Sequence, residues 1–422
     1  MPGRRAGVWY GDQRVGRLQE DDQHQLLFAY DADWLNGDGF PVSLSLPLSC
    51  GDAWVDGSDF FGGLLPEGAA RRRICQRLGI DVEDDTGLLF AIGADCAGAL
   101  SVLPEGREPP DTKVSEPLQP LPERELDSVL RSAGHNAARL TGEARRFSLA
   151  GAQDKLPVIL DDHDFFLPDH ARPSTHILKF ETYPRVCLAE YMGSEIARRC
   201  GLAVVETGFE QLNDSPYLLI VRYDRDVDSE GCVRRLHQED MMQALAMPSM
   251  LKYQREGGPN IGQIAELLRR HADRPAQAIA RLRDWQILNV LMGNWDGHAK
   301  NLAFCYRPGS TVPQFAPFYD LVSIEFLNQA GRGDFSRDMA LAVGSSFTPE
   351  RIGRADWVQF ARDLGVPPRP LLQRVQTLAE SVEGHLQAAR GEFADRWGDD
   401  GVLDVFERTV RKRCRWVLEQ GS

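Results

Sequence analysis

The chain has 422 residues, 42% of them hydrophobic and 26% charged, with a formal net charge of -14. That length implies two or three domains with a sizeable core, and the ordinary composition excludes a collagen-like or globally disordered chain. The acidic balance argues against a surface built wholly to bind a polyanion, and no apolar run reaches the roughly 18 residues of a membrane span, so a cytoplasmic protein with no membrane partner is expected. In chain order, Gly7-Val-Trp-Tyr and Arg14-Val-Gly-Arg-Leu flank a Gly11-Asp12 turn and read as a hairpin. Residues 26–30 and 42–46 follow as strands by β-type composition, and 67–78 has helical spacing that stops at Gly79. The stretch 104–125 is rich in proline and charge and reads as a linker or surface loop. Beyond it the pattern turns α/β: strands at 155–160 and 176–180, an amphipathic helix at 188–200, and strands near 204–212 and 217–223. From Gln238 onward helices dominate, at 264–270, 276–292, 354–364 and 371–389, with Thr348-Pro349-Glu350 fitting a helix start.

The chemistry gathers in Gly293-Asn-Trp-Asp-Gly-His-Ala-Lys-Asn301, where an apolar helix runs into a polar segment with Asp296 and, five positions on, Asn301. This is the Asp-x4-Asn spacing of a kinase catalytic loop, in which the Asp accepts a hydroxyl proton and the Asn helps hold magnesium. A Trp replaces the usual Arg before the Asp. On its own the pair also fits a capped, solvated loop between helices. Downstream, Phe318-Tyr-Asp-Leu-Val322 is expected to set Asp320 at the end of a strand as a second metal ligand. Upstream, Ser148-Leu-Ala-Gly-Ala-Gln-Asp-Lys155 is a small-residue turn whose amides can approach phosphate oxygens, and Lys179 is a charge inside an apolar strand, with Glu190 or Glu195 as its partner. Taken singly, that loop also fits a plain surface turn, and Lys179 an edge-strand lysine reaching solvent. The eight cysteines are scattered with no Cys-x-x-Cys pair, so neither a zinc site nor a disulfide framework is signalled.

In this order the motifs resemble the HipA toxins, serine/threonine kinases of bacterial toxin–antitoxin modules. The resemblance rests on the segments already quoted and on Thr175-His-Ile-Leu-Lys179, Val221-Arg-Tyr-Asp-Arg225, Leu236-His-Gln-Glu-Asp-Met241, Leu251-Lys-Tyr253 and Phe61-Gly-Gly-Leu-Leu-Pro-Glu67. It implies an α+β, two-lobed protein-kinase-like fold: a β-rich subdomain over 1–105, a Pro-rich linker over 106–130, an N-lobe with the phosphate loop over 131–235, and a helical C-lobe over 236–422. It further implies ATP and magnesium as cofactors and Asp296 as catalytic base, with Asn301 and Asp320 on the metal. ATP would meet Ala150, Gly151, Ala152, Gln153, Asp154, Lys155, Lys179, Gln238 and His298, with Tyr223 against adenine. Val221 stands where an acid is expected. Ser148 occupies the place of an inhibitory autophosphorylation site. The implied substrate is a protein serine, family-typically on an aminoacyl-tRNA synthetase such as the glutamyl enzyme, so that translation and growth are inhibited. The implied partner is a HipB-like helix-turn-helix antitoxin that carries the contact with operator DNA.

Two other classes stay open: a small-molecule kinase using the same machinery, and a kinase-like scaffold or co-repressor with little catalysis. The basic run Arg408-Thr-Val-Arg-Lys-Arg-Cys-Arg-Trp416 reads first as the solvated face of a terminal helix, and second as a phosphate contact beside the antitoxin.

Overall fold

The computed structural model describes residues 3–37, 39–109, 118–134, 155–169, 172–228, 232–331 and 333–421. The chain packs as two units, one made of Met1–Thr182, Glu210–Met250 and Phe304–Pro313, the other of Tyr183–Phe209, Leu251–Ala303 and Gln314–Ser422.

The first unit opens with an antiparallel sheet in the order β4-β3-β2-β1-β5, from β1 (Arg5–Tyr10), β2 (Gln13–Glu20), β3 (Leu26–Tyr30), β4 (Val55–Asp56) and β5 (Leu100–Pro104). The β1–β2 hairpin closes Tyr10 on Gln13, and Gly11 takes the positive φ of 59° that such a turn demands. Alternate residues of these strands, among them Val8, Leu18 and Phe28, bury against Phe60, Phe61, Leu88 and Leu89 of the helices that follow. The stretch 42–46, expected as a strand, is not one. Its backbone is bonded to side chains instead of a ladder: Val42 N–H donates to Tyr30 Oη (2.7 Å), Leu44 N–H to Glu239 Oε1 (3.1 Å), and Val42 O accepts from His237 Nε2 (2.7 Å).

A second sheet in this unit carries neighbours β6 (Lys155–Asp161), β7 (Asp164–Phe166), β8 (His176–Phe180) and β9 (Ser215–Val221), with β6 between β7 and β8, and β8 between β6 and β9. The helix Glu123–Arg131, at the end of the Pro-rich stretch, packs Leu126, Val129 and Leu130 onto Leu156, Val158 and Leu178 of this sheet. A buried charge cluster ties the two sheets' neighbourhoods together. Arg222 grips Asp224 with two bonds (2.9 and 2.6 Å), Arg225 approaches the same carboxylate at 3.1 Å, and Gly98 N–H donates to it at 2.9 Å. Arg235 pairs with Asp95 at 2.8 Å, and Arg225 Nη1 returns a bond to Gly98 O (3.2 Å).

Glu239 lies fully buried between Ser43 Oγ (2.5 Å) and Tyr306 Oη (2.5 Å), and burial pushes its carboxyl up to about 7. His237 is buried beside it, and burial pulls its imidazole down to about 4. Their effects on stability oppose each other. Between pH 4.5 and 7 the folded state keeps a proton on Glu239 that the unfolded chain loses, so stability falls as pH rises. Between pH 4 and 6.5 the unfolded chain binds a proton on His237 that the folded state refuses, so stability rises with pH. Glu239→Gln should therefore uncover a stability that climbs from pH 4.5 to 6.5, where the native protein stays nearly level. Urea melts at several pH values test this, and parallel curves for variant and native chain would refute it.

The second unit is helical. Pro275 starts the helix Pro275–Met292 at its first turn, and residues 285–292 are buried all round, as a helix in the middle of a core must be. The helices Pro368–Trp397 and Val402–Gly421 form an antiparallel pair, with Gly398 (φ 82°) and Gly401 (φ 86°) turning the chain between them. Leu378, Val382, Phe406 and Val410 are fully buried. Thr348-Pro349-Glu350 starts only a single turn, Pro349–Arg351, and the Thr348 hydroxyl donates to Asp338 (3.3 Å) instead of capping it.

Candidate active site

The helix Pro275–Met292 ends at Gly293, whose φ of 70° stops it and throws the chain into the polar loop. That loop is tied down at several points. Trp295 O accepts from Ala340 N–H (2.8 Å), a Cβ on Gly297 would lie 2.5 Å from Asn289 Nδ2, and Asn301 N–H closes a turn on His298 O (3.0 Å). Asp296 is half-buried, while His298, Lys300 and Asn301 are buried. Asn301 Nδ2 donates to Asp296 O at 3.2 Å, which turns its Oδ1, the atom a hard cation takes, to the other side.

Asp320 sits in left-handed backbone, φ 61°. The expected strand before it is a single bridge between Val204 and Phe318, since Pro317 has no N–H to extend a ladder. The segment is held from two sides: Asn294 Nδ2 reaches Asp320 O at 3.5 Å, and Tyr319 Oη donates to Lys300 O at 2.7 Å. A Cβ on Gly193 would fall 2.0 Å from Leu321 O, so the helix Val186–Arg199 presses backbone to backbone against the residue after Asp320. Asp296, His298, Asn301 and Asp320 thus share one braced region of the second unit.

Sequence reasoning gave no role to Tyr253. Its hydroxyl donates to Asp296 Oδ1 at 2.9 Å, and its ring meets His298 edge-on at 5.7 Å. The only signal was its place in the Leu251-Lys-Tyr253 motif; the contact spans 43 residues and no local pattern encodes it. Tyr253→Phe should lower turnover roughly tenfold with little change in the ATP KM, because it frees a carboxylate oxygen that was aimed without touching the nucleotide side. Steady-state phosphate transfer decides this; an unaltered turnover refutes it.

Apart from His298, the nucleotide candidates lie in the first unit. Lys155 and Lys179 are paired directly across β6 and β8, so both side chains share one face of the sheet. Two cations so placed can act together on one anionic group such as a phosphate. Tyr223 Oη donates to Gln238 Oε1, so these two candidates also meet. Of the two expected partners of Lys179, Glu195 bonds Arg198 (2.7 Å) and Arg199 (2.6 Å), and Glu190 is 2% exposed. Ser148 and the loop Ala150, Gly151, Ala152, Gln153 and Asp154 lie outside the described residues. The C-terminal basic run is not simply a solvated face: Arg411 bonds Glu383 and Glu407, and Arg413 is buried.

The chain is 35% identical over 99% of both chains to Y4mE of Sinorhizobium fredii, whose name proposes a kinase. It is 28% identical, over 88% of this chain and 86% of the other, to the serine/threonine-protein kinase toxin HipA of Shewanella oneidensis. A Shewanella oneidensis HipA structure, solved with HipB and operator DNA, superimposes with a TM-score of 0.83 at 26% identity, covering 99% of this chain and 98% of that one. That superposition gives this chain the α+β, kinase-like fold of HipA. The HipA N-terminal domain matches residues 6–103 and the HipA-like C-terminal domain residues 147–386, and on these matches the chain belongs to the HipA family of kinase toxins.

Proposed function

We propose that this chain is an ATP- and magnesium-dependent serine/threonine protein kinase, the toxin of a HipBA-type module, with Asp296 as its base. The observation that carries the reading is the braced loop: Tyr253 holds one Asp296 oxygen, Asn301 is tied to the Asp296 carbonyl, and Asp320 is tethered through Asn294. In the reaction the second Asp296 oxygen takes the proton of a substrate hydroxyl as that oxygen attacks the γ-phosphorus. The bond from γ-phosphorus to the bridging oxygen breaks, and ADP leaves. Asn301 and Asp320 are the residues to hold magnesium, which when bound neutralises charge on the phosphates. Lys155, Lys179 and the amides of 150–154 take the phosphates, and Tyr223, Gln238 and His298 are the further nucleotide contacts.

The protein substrate is a serine on an aminoacyl-tRNA synthetase, the glutamyl enzyme first, and its modification inhibits translation and growth. A HipB-like helix-turn-helix antitoxin restrains the kinase and supplies most of the contact with operator DNA, as the partner in the Shewanella complex supports. Phosphate on Ser148 shuts the enzyme off, because nearly two negative charges beside an ATP-phosphate loop repel the nucleotide. The test is transfer of labelled γ-phosphate to purified glutamyl-tRNA synthetase, with peptide mapping of the chain itself. Label on the synthetase supports the target; label on the chain alone keeps the kinase and removes this target; no label on Ser148 removes the switch.

A further inference from the structure

Arg413 lies on the C-terminal helix Val402–Gly421 and is 5% exposed. Its guanidinium carbon stands 5.1 Å from the centre of the Trp295 ring, the residue just before the proposed base. Its N–H groups reach Val290 O and Pro349 O, each at 3.4 Å, and the nearest carboxylate, Glu350, is 3.7 Å away and 55% exposed. A buried arginine that served packing alone would be replaced without loss by an apolar residue of similar volume, because taking a guanidinium out of water costs several kcal/mol. Here the charge has a use. The face of an indole is electron-rich and attracts a cation, while its N–H edge attracts an anion. Trp295 receives both: Arg413 on the face, and Glu325 Oε2 at 3.4 Å from Nε1 at the edge. Cation and anion together fix the tilt and the rotation of a ring that is only 2% exposed. Glu325 is itself held to the loop, its N–H donating to Gly293 O at 3.0 Å.

We propose that Arg413 is a positioning residue for catalysis: from the far end of the chain it clamps Trp295, and through one peptide unit it sets where the Asp296 carboxylate points. The proposal rests on the kinase reading for its consequence. It also accounts for the Trp that replaces the usual Arg before the base, since the cation is supplied to that place from another helix. The basic C-terminal run then includes an interior support of the catalytic loop.

The experiment compares Arg413→Met and Arg413→Lys with the native chain in phosphate transfer and in amide hydrogen exchange over 293–301. Arg413→Met should lower kcat roughly tenfold with the ATP KM within about twofold, the scale of a base displaced by a fraction of an ångström. Exchange in 293–301 should quicken while the helix Pro368–Trp397 keeps its protection. Arg413→Lys retains a cation and should recover most of both. In a Trp295→Leu background, Arg413→Met should add nothing further, since both act through the same contact. Unaltered exchange and turnover in folded Arg413→Met, or losses that add to those of Trp295→Leu, overturn the proposal. If Arg413→Met does not fold, native-like kcat and exchange in Arg413→Gln overturn it equally. A native chain that transfers no phosphate at all defeats the kinase reading, and the exchange data still decide whether Arg413 holds the loop.

Discussion

Asp296→Ala is expected to cut phosphate transfer by about a hundred- to ten-thousand-fold, the range a positioned general base supplies. The fold should survive, because Asp296 is half-buried at a loop tip and its loss strands no buried charge. Its carboxylate accepts from one hydroxyl, that of Tyr253, and the Asn301 amide bonds its backbone carbonyl, which alanine keeps. Nucleotide binding, which we propose Lys155, Lys179, Tyr223 and Gln238 supply, should stay within a few-fold of native. Equilibrium titration with a fluorescent ATP analogue beside a labelled-phosphate assay separates the two. Transfer by Asp296→Ala at close to the native rate would put the base elsewhere.

Asp224→Ala should destabilise the first unit by about 3–5 kcal/mol, the cost of breaking a buried ion pair from one side. Burial by itself pushes the Asp224 carboxyl up, but Arg222 and Arg225 more than reverse this and hold it well below the usual carboxylate range. Without the carboxylate, two buried guanidinium groups face each other and the Gly98 amide loses its acceptor. A loss of that size is a large part of the roughly 5–15 kcal/mol that keeps a domain folded. Tyr223, the adenine contact we propose, lies between Arg222 and Asp224, so ATP affinity should fall with it. Urea unfolding measures the loss; a variant within about 1 kcal/mol of native would mean that water reaches the cluster after all.

The long helices of the second unit were legible because they carry their own period and stop signals, and Asp296, Asn301 and Asp320 stood out as candidates because each sits in a short motif. What those residues touch was not legible. Tyr253 and Arg413 approach the loop from distant segments, and packing, not periodicity, brings them there. Residues 42–46 misled because strand-like composition says nothing about whether a ladder partner exists; Glu239, His237 and Tyr30 took its backbone bonds instead. Glu195 has two arginines one turn along its own helix, near partners that a search for a distant one overlooks. The charge of the C-terminal run was evident, but the burial of Arg413 follows from a helix face that only the folded unit defines.

The cluster around Asp224 bears on how the first unit responds to a protease. Asp95 and the Gly98 amide lie before the Pro-rich stretch, and Arg222, Asp224, Arg225 and Arg235 lie after it. A single cut in 106–109 severs the chain but none of these bonds, and each fragment alone would have to hydrate charges that now satisfy one another. The nicked protein should therefore run as one particle on a sizing column and come apart only in denaturant.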